Sequence, residues 1–266
     1  GLACGLARDL PTALAAMREP QAALMAGHRL RLPVIVFHGD QDRTVHPRNG
    51  ELILAQAAPD WPASRDEVGQ QPGGHYPSYE EVKEDLLLLQ QRWKYLRLYD
   101  CDAHAETVLN VIEKEALDFK VMLGAYITAE VNNPACPWGG GIYSGEQLQQ
   151  NKKLNEERIQ QLIRCAHAYP EIIFSVSVGN EACVDWTDHL VPAGRVMDFA
   201  RQVKAAVHQP VTYCENYVPW LNKLQPLAEI LDFISIHTYP VWEYKSIGEG
   251  MDYTIENFNA VAAAYP

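Results

Sequence analysis

No two cysteines in this 266-residue chain form a C-x-x-C pair; Cys4, Cys101, Cys136, Cys165, Cys183 and Cys214 are scattered, without metal-ligand spacing. They read as reduced thiols in the core or in loops, and no ligand cluster implies a metal or an organic cofactor. Positive charge is scarce: 22 Lys and Arg against 34 Asp and Glu leave a formal net charge of -12. That excludes nucleic acid as a partner, because such binding is driven largely by neutralising phosphates. Apolar runs stay short of the roughly 18 residues that span a membrane, and no charged-then-apolar leader precedes a small-residue cleavage site. The chain as given reads as soluble, with its compartment left open because it begins abruptly at Gly1. A G-x-S-x-G elbow is also missing, so no motif marks a nucleophilic serine for acyl transfer.

What is present is a composition fit for a sizeable core, 47% hydrophobic and 21% charged. PVIVFH at Pro33–His38 reads as a buried strand, followed by HGDQD and a helix over residues 48–57. Residues 58–77, rich in Pro, Gly, Asp and Gln, read as a junction, so the chain is expected to divide into a 1–63 fragment and a 64–266 body. Ser78 and Glu81 form a capping box that opens a helix bearing Val82, Leu86 and Leu89. Short apolar segments predict buried strands at Tyr95–Tyr99, Phe119–Tyr126, Ile172–Val178, Val211–Cys214 and Phe233–His237. Between them, helical periodicity places Val108, Val111 and Ile112 on one helix, Ile159, Leu162, Ile163 and Ala166 on the next, and Val196, Phe199, Ala200 and Val203 on a third. A last helix falls near residues 254–264. Such alternation implies parallel strands joined by right-handed crossovers. The expected class is α/β: an incomplete or rearranged (βα)8 TIM-type barrel of about six parallel strands.

Ligands of parallel (βα) folds sit beyond the carboxyl ends of the strands. Those positions hold Asp100; Glu130, Asn132, Asn133 and Trp138; Asn180, Glu181, Asp185 and Trp186; Glu215, Asn216, Tyr217 and Trp220; and His237, Tyr239, Trp242, Glu243 and Tyr244. Flat aromatic faces beside carboxylates and amides suit pyranose rings, with their apolar faces and rims of hydroxyls. Glycoside hydrolysis needs two carboxyl groups, about 5.5 Å apart for retention and roughly 6.5–9.5 Å apart for inversion. Glu181 is the candidate acid, because it ends a buried strand where desolvation raises a carboxyl pKa. Glu215, one strand along, is the nearest candidate for the second, with Glu130, Glu243 and Asp100 behind it; the alternative is that Glu215 only binds substrate or braces Glu181.

PSYEEVKEDL, YLRLYDCDAHAETVL, DFKVMLGAYITAEVNNP, IIFSVSVGNEACVDWTDHLVP, PVTYCENYVPW and LDFISIHTYPVWEYKSI, in this order, resemble a bacterial branch of the glycoside hydrolase family 17 β-1,3-glucanases. The resemblance covers nearly 200 residues. It implies a (βα)8 barrel, retaining hydrolysis or transfer on β-1,3-glucan or its oligosaccharides, and no cofactor. Glu181 would be the acid/base, Asn180 would bond the sugar hydroxyl beside the reacting carbon, and Tyr239 would line the cleft. The family's nucleophilic glutamate belongs to a seventh strand, and this sequence ends one helix earlier, so weak activity or a silent carbohydrate-binding scaffold is expected. GLACGLARDLPTALAAM and VIVFHGDQDRTVHPRNGE resemble the C-terminal part of polyhydroxybutyrate-depolymerase-type esterases, with Asp42 at the position of the histidine-orienting acid; residual carboxylesterase action is a third reading. An open barrel leaves strand edges uncovered, which predicts a homodimer or higher oligomer.

Overall fold

The computed structural model describes residues 76–137 and 140–265. The chain divides into two units between His75 and Tyr76, and all of the described residues belong to the second. The strand expected at Pro33–His38, the helix after it, Asp42 and Trp138 lie outside the described residues.

The capping box opens helix α1 (Tyr79–Leu89): the Glu81 amide donates to the Ser78 hydroxyl, and the Ser78 amide donates to the Glu81 carboxylate at 2.7 Å. Four further units follow, β1 (Tyr95–Leu98) with α2 (Ala103–Lys114), β2 (Lys120–Gly124) with α3 (Gly145–Ala168), β3 (Ile173–Asn180) with α4 (Ala193–Ala206), and β4 (Val211–Asn216) with the short α5 (Tyr217–Asn222) and α6 (Gln225–Ala228). Strand β5 (Ser235–His237) and helix α7 (Gly250–Ala264) complete the series. The five strands pair in sequence order and every pairing is parallel. They curl into half of a TIM-type (βα)8 barrel.

The helices dock by the stripes their sequences carry. Val108 and Ile112 of α2, Ile159 and Leu162 of α3, and Val196, Phe199 and Val203 of α4 join Val121, Leu123, Ile173 and Val211 of the strands in one core. Each such side chain contributes about 1.5–3 kcal/mol relative to exposure. The expectation that every strand is buried on both faces holds for β4 and, apart from the exposed Phe174 near its start, for most of β3, but not for β1 and β5. Tyr95 is exposed and the rest of those two strands is half-buried, because each has a sheet partner on one side only among the described residues. Helices α5 and α6 were not expected either. Asn216 creates the first: its side-chain oxygen accepts from the Val218 amide at 3.0 Å and turns the chain into a helix at the end of β4.

Two buried asparagines on α3, four residues apart, stitch the loop after β2. Asn155 accepts from the Thr128 amide at 2.8 Å and donates to its carbonyl at 2.9 Å, while Asn151 donates to the Ala129 carbonyl at 2.8 Å. The loop that borders the barrel mouth is thereby held to the scaffold.

Candidate active site

The end of β3 is locally strained. Gly179 has φ +150°, and a Cβ there would lie 2.8 Å from the Tyr213 ring and 3.0 Å from Ile127, so glycine is required for both reasons. Glu181 takes φ +49°, a left-handed conformation that costs a residue with a Cβ about 1–2 kcal/mol. The turn persists because its amides are pinned from β4. Glu181 donates to the Cys214 carbonyl at 2.9 Å, Ala182 to the Tyr213 hydroxyl at 3.0 Å, and Cys183 to the Glu215 carboxylate at 2.8 Å. Held strain of this kind concentrates at functional sites. Gly179→Ala is expected to lower unfolding free energy by about 1–3 kcal/mol in urea titration.

The Glu181 carboxylate is the end of a hydrogen-bonded chain. His237 on β5 faces it through Nδ1 at 2.7 Å, and Arg97 on β1 faces the other ring nitrogen, Nε2, at 2.9 Å. A guanidinium only donates, so this geometry leaves Nε2 to accept and Nδ1 to donate to Glu181. Burial opposes a charge on the ring, yet its bonds to Cys214 and Glu181 and the Glu181 charge raise the His237 pKa to about 9. The second Arg97 nitrogen donates to the Asn180 side-chain oxygen at 2.6 Å, which leaves the amide nitrogen of Asn180 as a free donor pointing from the same strand end. Arg97 also lies 4.3 Å over the Tyr99 ring. Burial pushes the Glu181 carboxyl pKa up, as expected from its place on a buried strand. The bond from His237 and its charge, the Tyr239 hydroxyl and the charge on His189 together outweigh burial and hold the pKa below the ordinary glutamate value. The net direction is therefore opposite to the sequence expectation.

The other expected site residues divide. Tyr239 joins the cluster, its ring edge-on to His237 with centroids 5.8 Å apart. Trp186 is partly exposed and Trp242 is 57% exposed on the turn after β5. Tyr217 donates to Glu243 at 3.1 Å and meets the Tyr253 hydroxyl of α7 at 2.7 Å. Asp100 accepts from the Cys101 and Tyr126 amides and pairs with Arg158, so it braces the loops after β1 and β2.

Four of the expected rim residues are buried in the structure, Glu215 among them in the bracing role that was its alternative. Trp220 is fully buried, donating to the Ser235 carbonyl at 3.2 Å, because α5 folds it back beneath the sheet edge. Glu130 is almost fully buried and bonded to Arg195 of α4 at 2.9 Å and to Asn155 at 3.1 Å. Asn133 spends its amide on the Asp185 and Thr187 carbonyls at 2.8 and 2.7 Å, clasping two loops. Glu215 has no exposed surface; it accepts from the amides of Cys183 and Asn216 and from Tyr213 at 2.7–2.8 Å, and burial raises its pKa despite those bonds. A carboxylate enclosed this way shapes the Glu181 turn.

Sequence reasoning gave Arg97 no role. Its signal was a lone cation inside the apolar strand YLRLY, which has to find a partner. His237 was seen at a strand end, but its bond to Glu181 depends on a strand pairing that no local pattern reveals. Among the described residues no group of three or more side chains has metal-binding geometry, and no helix is long and apolar enough to cross a membrane.

Glu181 thus lies on a strained turn at the carboxyl edge of a half (βα)8 barrel, bonded to His237 and followed by the partly exposed Tyr239. The chain belongs to the family described as the BtgE/BtgC glycoside hydrolase domain, which it matches over residues 67–266. Its fold is similar to an endo-laminarinase from Formosa, with 21% identity, a TM-score of 0.58, and coverage of 71% of this chain and 57% of that one. It is also similar to an active-site mutant of the Rhizomucor miehei β-1,3-glucanosyltransferase in complex with laminaritriose, at 17% identity and a TM-score of 0.55, covering 74% of this chain and 64% of that one. A Lactobacillus rhamnosus β-glucuronidase shares the fold at 16% identity and a TM-score of 0.52, over 74% of this chain and 32% of that one. The chain thus spans about three fifths of the length of the first two. A search of curated protein sequences finds no match.

Proposed function

We propose that this glycoside hydrolase domain acts on β-1,3-linked glucan as family 17 enzymes do, with Glu181 as the proton donor to the leaving oxygen and Asn180 bonding the adjacent sugar hydroxyl. The observation that carries the reading is the Arg97–His237–Glu181 chain: three strands meet to hold one carboxyl at the rim with its ring-nitrogen donor fixed. Support for the β-1,3 linkage comes from the laminarinase and the laminaritriose-bound transferase that share the fold. Tyr239 and the exposed Trp242 and Trp186 offer faces for glucose rings.

On this reading Glu181 protonates the leaving oxygen and afterwards, as carboxylate, draws the proton from the incoming water or sugar hydroxyl. The donor must be protonated for the first step, and its lowered pKa favours acidic conditions until a bound sugar expels water and strengthens the effect of burial. Retention also requires an attacking carboxylate about 5.5 Å away. Glu215 stands nearest by strand order, but its oxygens are taken by two amides and a phenol. The carboxylate one strand along from the proposed donor is therefore enclosed and not open to a sugar.

That observation gives the carbohydrate-binding scaffold its standing as a second reading. Calorimetry with laminari-oligosaccharides, run beside a reducing-sugar assay, separates the two. Heat with product supports the enzyme, heat without product supports the scaffold, and no heat from any β-1,3-linked oligosaccharide removes both.

A further inference from the structure

The two histidines near Glu181 sit between opposite kinds of neighbour. His237 lies between a donor, Arg97, and an acceptor, Glu181, so its Nε2 faces a group that can only donate. His189, in the loop after β3, lies between two acceptors: the Asp188 carboxylate at 2.7 Å from Nδ1 and the Asn180 carbonyl at 3.0 Å from Nε2. A lone pair on Nδ1 would face that carboxylate at hydrogen-bond distance, and a lone pair on Nε2 would face the carbonyl. Only a ring protonated on both nitrogens satisfies both contacts.

We propose that His189 is a positioning residue: as an imidazolium clamped between Asp188 and the Asn180 carbonyl, it fixes the peptide that leads into the left-handed Glu181 turn. The carbonyl it holds belongs to the bond joining Asn180 to Glu181, so the ring restrains the rim from the loop side while Glu215, Tyr213 and Cys214 restrain it from β4. The side chain is 12% exposed. Around it stand Asp188 and the Thr187 hydroxyl (3.0 Å) from its own loop, and the Tyr126 hydroxyl (3.3 Å) from the loop after β2. The Tyr143 hydroxyl reaches the Asp188 carbonyl at 2.9 Å, and the Glu215 carboxyl acts on the ring from β4. Burial opposes the charge, but the bonds to Asp188 and Asn180 and the two carboxyls outweigh it, so the pKa of His189 lies above the ordinary histidine value. The same positive charge is one of the influences that depress Glu181.

The sign of the pH effect follows from a raised folded pKa. The clamp contributes its full stability below the unfolded histidine value near 6.5 and loses it as pH rises through the folded value. Above that point the turn loosens and Glu181 loses one of the charges that lower its pKa.

If Glu181 is the acting carboxyl, as proposed above, His189→Ala lowers kcat on laminari-oligosaccharides about tenfold with KM within about threefold. His189→Gln, which restores one donor without the charge, recovers most of kcat but moves the alkaline limb of the pH profile upward. A readout independent of turnover is nitrogen-15 and carbon-13 NMR of the full chain. The expected result is that both His189 ring nitrogens carry protons at pH 7, and that the Glu181 titration midpoint rises in His189→Gln. A neutral His189 accepting at Nδ1 from Tyr126 or Thr187, or an unchanged Glu181 midpoint, overturns the proposal. If the wild-type chain turns over no glucan, the Glu181 reading fails while these spectra still decide the state of His189.

Discussion

Glu181→Gln is expected to reduce turnover of laminari-oligosaccharides by about 10²–10⁴-fold, the range in which positioned acid–base groups contribute, while oligosaccharide affinity changes little. Glutamine keeps the shape of the side chain, and its carbonyl oxygen can still accept from His237 Nδ1, now at 2.7 Å from a carboxylate oxygen. What it cannot do is release a proton. Kinetics of the variant beside calorimetry therefore separate chemistry from binding, and an unchanged rate removes Glu181 from the mechanism. The substitution also alters acid stability. Because the folded pKa of Glu181 is lowered, its contribution is present above the unfolded value near 4.5 and disappears as pH falls through the folded value. Urea titrations of Glu181→Gln are expected to show a flatter acid limb than those of the wild type.

Arg97→Met has the second large effect, this time on both stability and activity. Arg97 supplies the donor to His237 Nε2 at 2.9 Å and to the Asn180 side-chain oxygen at 2.6 Å, and both acceptors are partly buried. Methionine fills the volume and leaves them unpaired, at about 1–3 kcal/mol for each buried group left without a partner. Unfolding free energy is expected to fall by about 2–4 kcal/mol on that count. With Nε2 no longer facing a guanidinium, the tautomer of His237 is no longer fixed, and the Asn180 amide is free to rotate away from the sugar hydroxyl. Turnover is expected to fall by about tenfold or more even where the variant is fully folded. A variant with wild-type stability and rate would show that the chain of donors across three strands does not set the site.

Much of the barrel was legible because its signals are local. The Ser78–Glu81 capping box, the stripes of α2, α3 and α4, and the apolar runs at β3 and β4 each sit in one short window, and the structure has them where the windows put them. Strand ends moved by two residues at β3 and β4, where Gly179–Asn180 and Glu215–Asn216 continue the ladder under polar side chains that periodicity assigns to loops. Glu181 and Asn180 were found as strand-end polar groups. The network around them was not, since it is assembled from residues 56 and 140 positions apart in the chain. For the same reason the aromatic and acidic rim looked richer in sequence than it is. Whether Trp220, Glu130 or Glu215 faces solvent is decided by a helix cap at Asn216, an arginine on α4 and the amides of a strained turn. Composition at strand ends reports which groups are available, and only tertiary pairing decides which remain open.

Glucose units are expected to bind where β1, β3 and β5 converge on the Glu181 carboxyl. Chemical-shift mapping of the labelled chain with laminaritriose tests it most directly. The expected result is saturable shifts at Glu181, Asn180, Arg97 and Tyr239, with the Glu181 carboxyl titrating at higher pH once the sugar is bound. Shifts confined to another surface, or none at the convergence of these strands, would contradict it.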